Sequence, residues 1–252
     1  MPNPSAHIDL ALEGAQKLSH PILKDNIGSF ILGCTAPDVR VITKKERSET
    51  HFSLLNNDIV GTGPEGMFER YPGLKETSGL SGATVAFVAG YIAHLIADEM
   101  WITHIYRPYF QEGWLFEDNI GSTIVDRTLQ LQLDLMADRA GQGLYHSCTY
   151  LVGASVGVEV EFIPENILLE WQEWLIERSQ TMFSWERLRF MVQRQYPDAK
   201  QDSDIMKRVD KFIRSLPNAL EQIFMRLPKE KLYSYREQSV QEWVRLAREY
   251  LP

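Results

Sequence analysis

Between Thr84 and Phe110 the chain reads TVAFVAGYIAHLIADEMWITHIYRPYF, apolar on nearly every face of a helix until Pro108. A helix that is apolar all round has no side to turn to water, so it belongs at the centre of a bundle or in a membrane. The stretch from Thr84 to Ile105 also carries His94, Asp98, Glu99 and His104, more polar groups than a transmembrane span normally tolerates. The segment is therefore expected to be the middle helix of an all-α helical bundle, with no transmembrane segment in the chain. Its buried polar residues need partners, because an unpaired carboxylate is costly to remove from water.

In Tyr91-Ile-Ala-His94-Leu-Ile-Ala-Asp98-Glu-Met-Trp101-Ile-Thr-His104 the spacing of four places His94 and Asp98 one turn apart on the same face. Such a pair has two readings, a hydrogen-bonded pair inside a core or one side of a metal site, and a cation would offset the burial of Asp98. Zinc accepts imidazole nitrogen and carboxylate oxygen together, and a catalytic site keeps one position open for water. One helix supplies only part of that polyhedron, so the other ligands are sought in His51 of ETHFSLL, Asp38 of TAPDVR and His7 of SAHIDL.

Apolar periodicity and breakers set the elements around this helix. A first helix runs from Ser5 until Pro21 with His7 in its first turn, and a second covers Lys24 to Leu32 and stops at Gly33. Asp38 then falls in a loop beside a helix end. The glycine-rich stretch from Asn57 to Gly82 reads as a long connection, with Met67, Phe68 and Tyr71 expected at the mouth of a site or on a surface loop. Asp118 to Ala140 reads as another helix, and VGVEVEFI at 156–163 as an extended connection or a brief strand. The last ninety residues suggest helices over 165–181, 184–195, 202–226 and 235–250, with Trp171, Trp174, Trp185 and Trp243 at core-like positions. Residues 1–164 are expected to form the metal-site bundle and 165–252 to pack on the same domain.

A net charge of -8, from 26 basic and 34 acidic residues, disfavours a surface built for duplex nucleic acid, which normally requires a basic patch. It does not disfavour a phosphoester substrate, since a bound cation dominates the charge of its own site. Cys34 and Cys148 form no metal or disulfide framework and read as free thiols, and MPNPSAHIDLALEGAQKL lacks a leader pattern, so the cytoplasm is expected.

The order His7, Pro37-Asp38, Thr50-His51-Phe52 and Gly90-x-x-x-His94-x-x-x-Asp98-x-x-Trp101 resembles the zinc-dependent phospholipase C family, whose fold is related to the S1/P1 nucleases. The resemblance implies a helical bundle holding zinc through His7, Asp38, His51, His94 and Asp98, with Asp98 placed to bridge two ions and His104 matching a further family histidine. It also implies hydrolysis of a phosphodiester or phospholipid headgroup by metal-activated water, with Asp38 as a ligand and an acceptor of the nucleophile's proton. The chain departs from the family pattern at two places. Met1-Pro2-Asn3-Pro4 stands where secreted members place a tryptophan ligand, and the helix after the central one offers Asp126-x-x-x-Gln130 or Asp134-x-x-x-Asp138 in place of a His-x-x-x-Glu or His-x-x-x-Asp pair. One or two ions, zinc or another divalent transition metal, are expected rather than three.

Two other functions stay open at this level. One is a nuclease or nucleotide phosphohydrolase, although no histidine here is followed directly by aspartate as in the HD-domain enzymes. The other is a helical metal-binding protein without catalytic activity. Arg40, Lys44, Lys45 and Arg47, lying between Asp38 and His51, either draw an anionic substrate or form a solvated charge run. His20 reads as a helix-end surface residue, and His146 lies after a glycine turn with no ligand spacing.

Overall fold

The computed structural model describes residues 1–54, 59–111, 118–201 and 203–252, which are helical with no strand among them. The helices are α1 (Pro4–Leu18), α2 (Pro21–Asp25), α3 (Ile27–Gly33), α4 (Arg40–Thr43), α5 (Arg47–His51), α6 (Thr62–Arg70) and α7 (Gly82–Trp101). They continue with α8 (Asn119–Arg139), α9 (Leu144–Leu151), α10 (Glu165–Ser179), α11 (Arg187–Gln195), α12 (Asp204–Arg214), α13 (Asn218–Arg226) and α14 (Lys229–Tyr250). The architecture is all-α, as the sequence predicts.

Helix α7 is the axis of the molecule. Ser81 caps it by accepting from the Thr84 N–H at 3.0 Å, which fixes where the apolar run enters the helix. From Thr84 to Trp101 every residue is buried. Gly82–Gln111 is long and apolar enough to cross a membrane by length and composition, yet its most apolar window is enclosed by protein, as a bundle's middle helix should be. Beyond Trp101 the chain winds into a π-helical segment, Ile102–Gln111, that accommodates Pro108.

Two glycines let α3 cross α7 at backbone contact. A Cβ on Gly33 would lie 2.0 Å from the Phe87 carbonyl oxygen, and one on Gly90 would lie 2.1 Å from that of Phe30. On the other side α14 packs along α1 and α7. Trp243 Nε1 donates to the Ala89 carbonyl at 2.9 Å, Tyr235 Oη to that of Ala97 at 3.1 Å, and Arg236 pairs with Asp9 of α1. The C-terminal helix thus completes the enclosure of the central one. A smaller cluster of Ile124, Leu131, Leu188, Val192 and Val209 joins α8, α11 and α12 away from the main core.

Several sequence expectations are corrected. The 57–82 stretch is not a long connection beyond its first two residues, which lie outside the described set. It contains α6 and two short 3-10 turns, Pro72–Leu74 and Thr77–Gly79. Met67 is fully buried in the core, and the half-buried Phe68 and Tyr71 pack against it, Phe68 on Tyr250 and Tyr71 on Phe52 and Phe162, so none of the three is a loop residue at a rim. Apolar side chains three and four apart on a short helix found tertiary partners that the glycine count concealed. The expected helix over Lys24 to Leu32 is divided at Asn26, and that over 202–226 at Ser215–Pro217, with Asp202 outside the described residues. The 156–163 segment is a turn and irregular connection without strand, and no strand edge lies among the described residues for it to pair with. Trp171 and Trp243 are buried as expected, whereas Trp174 and Trp185 are only partly so.

Candidate metal centre

Four elements deliver the donor side chains. His7 sits in α1, whose start is fixed by Asp134 of α8: its Oδ1 accepts from the Ala6 N–H at 3.2 Å and its Oδ2 from Asn3 Nδ2 at 3.0 Å. Those contacts satisfy a donor that the first turn of a helix leaves open. Asp38 lies on the 3-10 turn Ala36–Val39 that follows α3. His51 ends α5, whose start is closed by a reciprocal capping box between Glu46 and Glu49. His94 and Asp98 face the same side of α7.

These residues meet. Within each of two overlapping groups, His7–His94–Asp98 and Asp38–His51–His94, the donor atoms lie within 4.8 Å of one another. His94 is common to both groups, and Asp98 lies against all three histidines: Oδ1 is 3.4 Å from His7 Nε2, and Oδ2 is 3.1 Å from His51 Nε2 and 3.6 Å from His94 Nε2. The His7 and His94 rings stack at a centroid distance of 3.7 Å, and the His51 ring meets His94 edge-on at 5.3 Å.

Hydrogen bonds on the far sides of two rings fix which nitrogen faces inward. His94 Nδ1 lies 2.9 Å from the Cys34 carbonyl, an acceptor only, so Nδ1 carries the proton and Nε2 keeps its lone pair. His51 Nδ1 contacts Thr50 Oγ1 at 2.9 Å, and Tyr91 Oη holds the Thr50 carbonyl at 2.5 Å. This is the arrangement that orients imidazole toward a metal.

The inward atoms are short of partners. His7 Nε2, His51 Nε2, His94 Nε2 and Asp98 Oδ1 are all buried and none has a hydrogen bond. Buried polar atoms are nearly always satisfied, so a concentration of orphaned nitrogen lone pairs around one carboxylate marks a place for a cation. Burial lowers the pKa of His7, and it lowers that of His51 to about 4, so both rings are held neutral and ready to donate a lone pair. Burial also acts to lower His94, but the Asp98 charge outweighs it and the net shift is upward. Asp98 stays well below the usual carboxylate range despite burial, with the Arg47 and His94 charges responsible. The donor set fits a divalent transition metal.

His104 does not join the set. It is exposed, it contacts Thr103 Oγ1 at 2.8 Å, and it belongs to neither donor group. Six residues beyond Asp98 is roughly 240° past whole turns at 3.6 residues per turn, and the onset of π-helix does not bring it back. The expectation that His104 serves the centre is corrected accordingly. Of the pairs considered on α8, Asp126, Gln130 and Asp134 are engaged elsewhere: Gln130 Nε2 donates to Asp126 Oδ2 at 2.8 Å, Trp101 Nε1 to Asp126 Oδ1 at 3.1 Å, and Asp134 anchors α1. His20 contacts the Pro252 carbonyl at the surface and His146 is exposed.

Sequence reasoning missed two supporting residues. Glu99, next to Asp98 and buried, accepts from Gly61 N and Gly63 N at 2.6 Å each and from Thr62 Oγ1 at 2.9 Å, so it pins the start of α6 to the central helix. Burial raises its pKa. A second carboxylate in an apolar helix was the available signal. Arg47, read as part of a basic run, instead turns inward with its NH2 3.0 Å from Asp98 Oδ2. Of the rest of that run, Arg40 Nε and Lys45 Nζ reach backbone carbonyls at 3.4 Å, and Lys44 bonds the Val41 carbonyl.

The comparisons agree with this geometry. No curated protein and no solved structure matches the chain significantly. A family model described as zinc dependent phospholipase C matches residues 6–126, a span that begins one residue before His7 and contains every residue of both donor groups. Over residues 6–126, which include the candidate metal centre, the chain is similar to the zinc-dependent phospholipase C family.

Proposed function

We propose that this protein is a zinc-dependent phosphoric ester hydrolase that cleaves a phosphodiester, either a phospholipid headgroup or a smaller phosphoester. One observation carries the reading: three buried histidines with unpartnered Nε2 atoms gather around the Asp98 carboxylate within bonding range of one or two ions. His7, His51, His94, Asp98 and Asp38 would hold the metal. Bound zinc supplies a Lewis acid that acidifies water and offsets charge on phosphoryl oxygens.

The chain's own groups do the rest. The His94 Nδ1 contact with the Cys34 carbonyl and the Tyr91–Thr50–His51 chain hold the imidazoles in one orientation. Asp38 is less buried than the four other donors, which suits it to take a proton from water as well as to ligate. The acidic net charge argues for a small or lipid substrate over duplex nucleic acid.

Metal content of purified wild type, His94→Ala and Asp98→Ala, measured by inductively coupled plasma mass spectrometry, tests the reading. Near-stoichiometric zinc lost in both variants is the expected result, followed by zinc-dependent turnover in a phosphodiester and phospholipid screen. Wild type that stays metal-free after reconstitution would sink the hydrolase reading. Zinc binding without turnover of any phosphoester would leave a helical metal-binding protein instead.

A further inference from the structure

Arg47 is the first residue of α5, and the Glu46–Glu49 capping box fixes its backbone. Its side chain is 12% exposed and runs into the metal centre, where NH2 reaches Asp98 Oδ2 at 3.0 Å. Its Nε and NH1 atoms are buried and have no hydrogen-bond partner. A guanidinium carries five N–H donors in a rigid fork, and leaving donors unmade in the interior is expensive, so this fork is built for an acceptor besides Asp98.

The oxygen that Arg47 holds is contested. Asp98 Oδ2 also lies 3.1 Å from His51 Nε2 and 3.6 Å from His94 Nε2, the two imidazoles that would share a metal with it. A carboxylate oxygen that accepts from a guanidinium has its charge partly offset already and offers less to an ion placed among those nitrogens. The two cations therefore compete for one oxygen. Once displaced, the guanidinium stays beside the centre, because α5 also carries His51 and cannot withdraw without it.

We propose that Arg47 holds the Asp98 carboxylate only in the metal-free protein and, when metal takes that oxygen, turns its fork to the phosphoryl oxygens of the substrate. Arginine suits this role because its planar fork binds phosphate bidentately and never loses its charge. Metal loading and anion binding are then coupled through a single side chain. The inference rests on the phosphoesterase reading and adds a substrate-binding residue to it.

Calorimetric titration tests it on metal-free wild type, Arg47→Gln and Arg47→Met, first with zinc and then with inorganic phosphate on the zinc-loaded protein. The Gln variant keeps a donor for Asp98 and serves should the Met variant fail to fold, as circular dichroism would reveal. Both variants are expected to bind zinc at least as tightly as wild type and phosphate roughly 10- to 100-fold more weakly, the range of a lost charge-assisted bond. Unchanged phosphate affinity at full zinc occupancy would make Arg47 a mere counter-ion and overturn the proposal. Loss of zinc binding in the variants alone would also overturn it, by making Arg47 part of the metal pocket's construction. So would a zinc-loaded wild type that ignores phosphate. Wild type that binds no zinc removes the phosphoesterase reading itself, and this inference with it.

Discussion

The imidazoles of His7 and His94 stack at a centroid distance of 3.7 Å and an interplanar angle of 10°, although eighty-seven residues separate them in the chain. Stacking and donation are separable: phenylalanine keeps the ring and loses the lone pair. His7→Phe is therefore expected to fold with an unchanged helical spectrum and to bind zinc at least roughly a hundredfold more weakly, since even indirect partners of a ligand carry 10- to 100-fold effects. Competition with a chromophoric chelator measures it, and wild-type affinity in the variant would remove His7 from the ligand set.

Asp38 is expected to divide binding from turnover. If it takes the proton from water, Asp38→Asn should lower kcat by a factor of about 10² to 10⁴ while the protein keeps zinc on the four remaining donors. Zinc stoichiometry and rate need to be measured on the same preparation. Complete metal loss would show that Asp38 acts as a ligand first.

Glu99 ties three groups at Gly61, Thr62 and Gly63 to the central helix. Truncation by Glu99→Ala leaves their donors open and should destabilise the protein by about 2 kcal/mol, the scale of bonds to a charged acceptor. Amide exchange at Gly61 and Gly63 should accelerate more than exchange within α7. Uniform acceleration would mean that the carboxylate supports the whole bundle instead.

Gly33 and Gly90 allow the contact between α3 and α7, and the atoms a new Cβ would strike are backbone carbonyls of the opposite helix, which cannot swing aside. Gly90→Ala should cost about 3 kcal/mol or more in urea unfolding. It should also weaken zinc binding, since α3 leads into the turn that carries Asp38 and α7 carries His94 and Asp98. A stable variant with intact zinc affinity would refute the close-crossing account.

Asp134 has its pKa raised to about 6, first by burial and against the pull of Arg187. In the window from about pH 4 to pH 6 the folded state therefore binds more protons here than the unfolded state, and this group's contribution to stability falls as pH rises through it. His51, with its pKa lowered to about 4, acts in the opposite sense across the same range. The difference between wild type and Asp134→Asn isolates the carboxylate. In metal-free protein the variant should gain on wild type by an amount on the order of 1–3 kcal/mol between pH 4 and pH 7. A difference that does not change with pH would mean that Asp134 titrates normally.

The long apolar run made α7 legible from its residues alone, and the four-residue spacing placed His94 and Asp98 on one face whatever surrounded them. The first helix, expected from Ser5 and found from Pro4, and the helix expected over Asp118 to Ala140 and found over Asn119–Arg139 were legible for similar local reasons, caps and breakers acting within a few residues. His7, Asp38 and His51 were candidates by residue type, and only the family resemblance joined them into one set, since nothing in their own neighbourhoods says that α1, a 3-10 turn and α5 converge on α7.

The sequence by itself determined that this chain folds as helices around an apolar axis bearing a histidine and a carboxylate, because helical period and burial are local properties of the residues. The tertiary structure alone decided that His104 turns to solvent, that Met67 is core and Tyr71 packs against it, that Glu99 and Asp134 serve as anchors, and that Arg47 leaves its basic neighbours for Asp98. Each of those outcomes depends on which segment arrives opposite a residue. That choice is made by packing across long sequence separations, where an orphaned donor or carboxylate takes the partner the fold brings within reach.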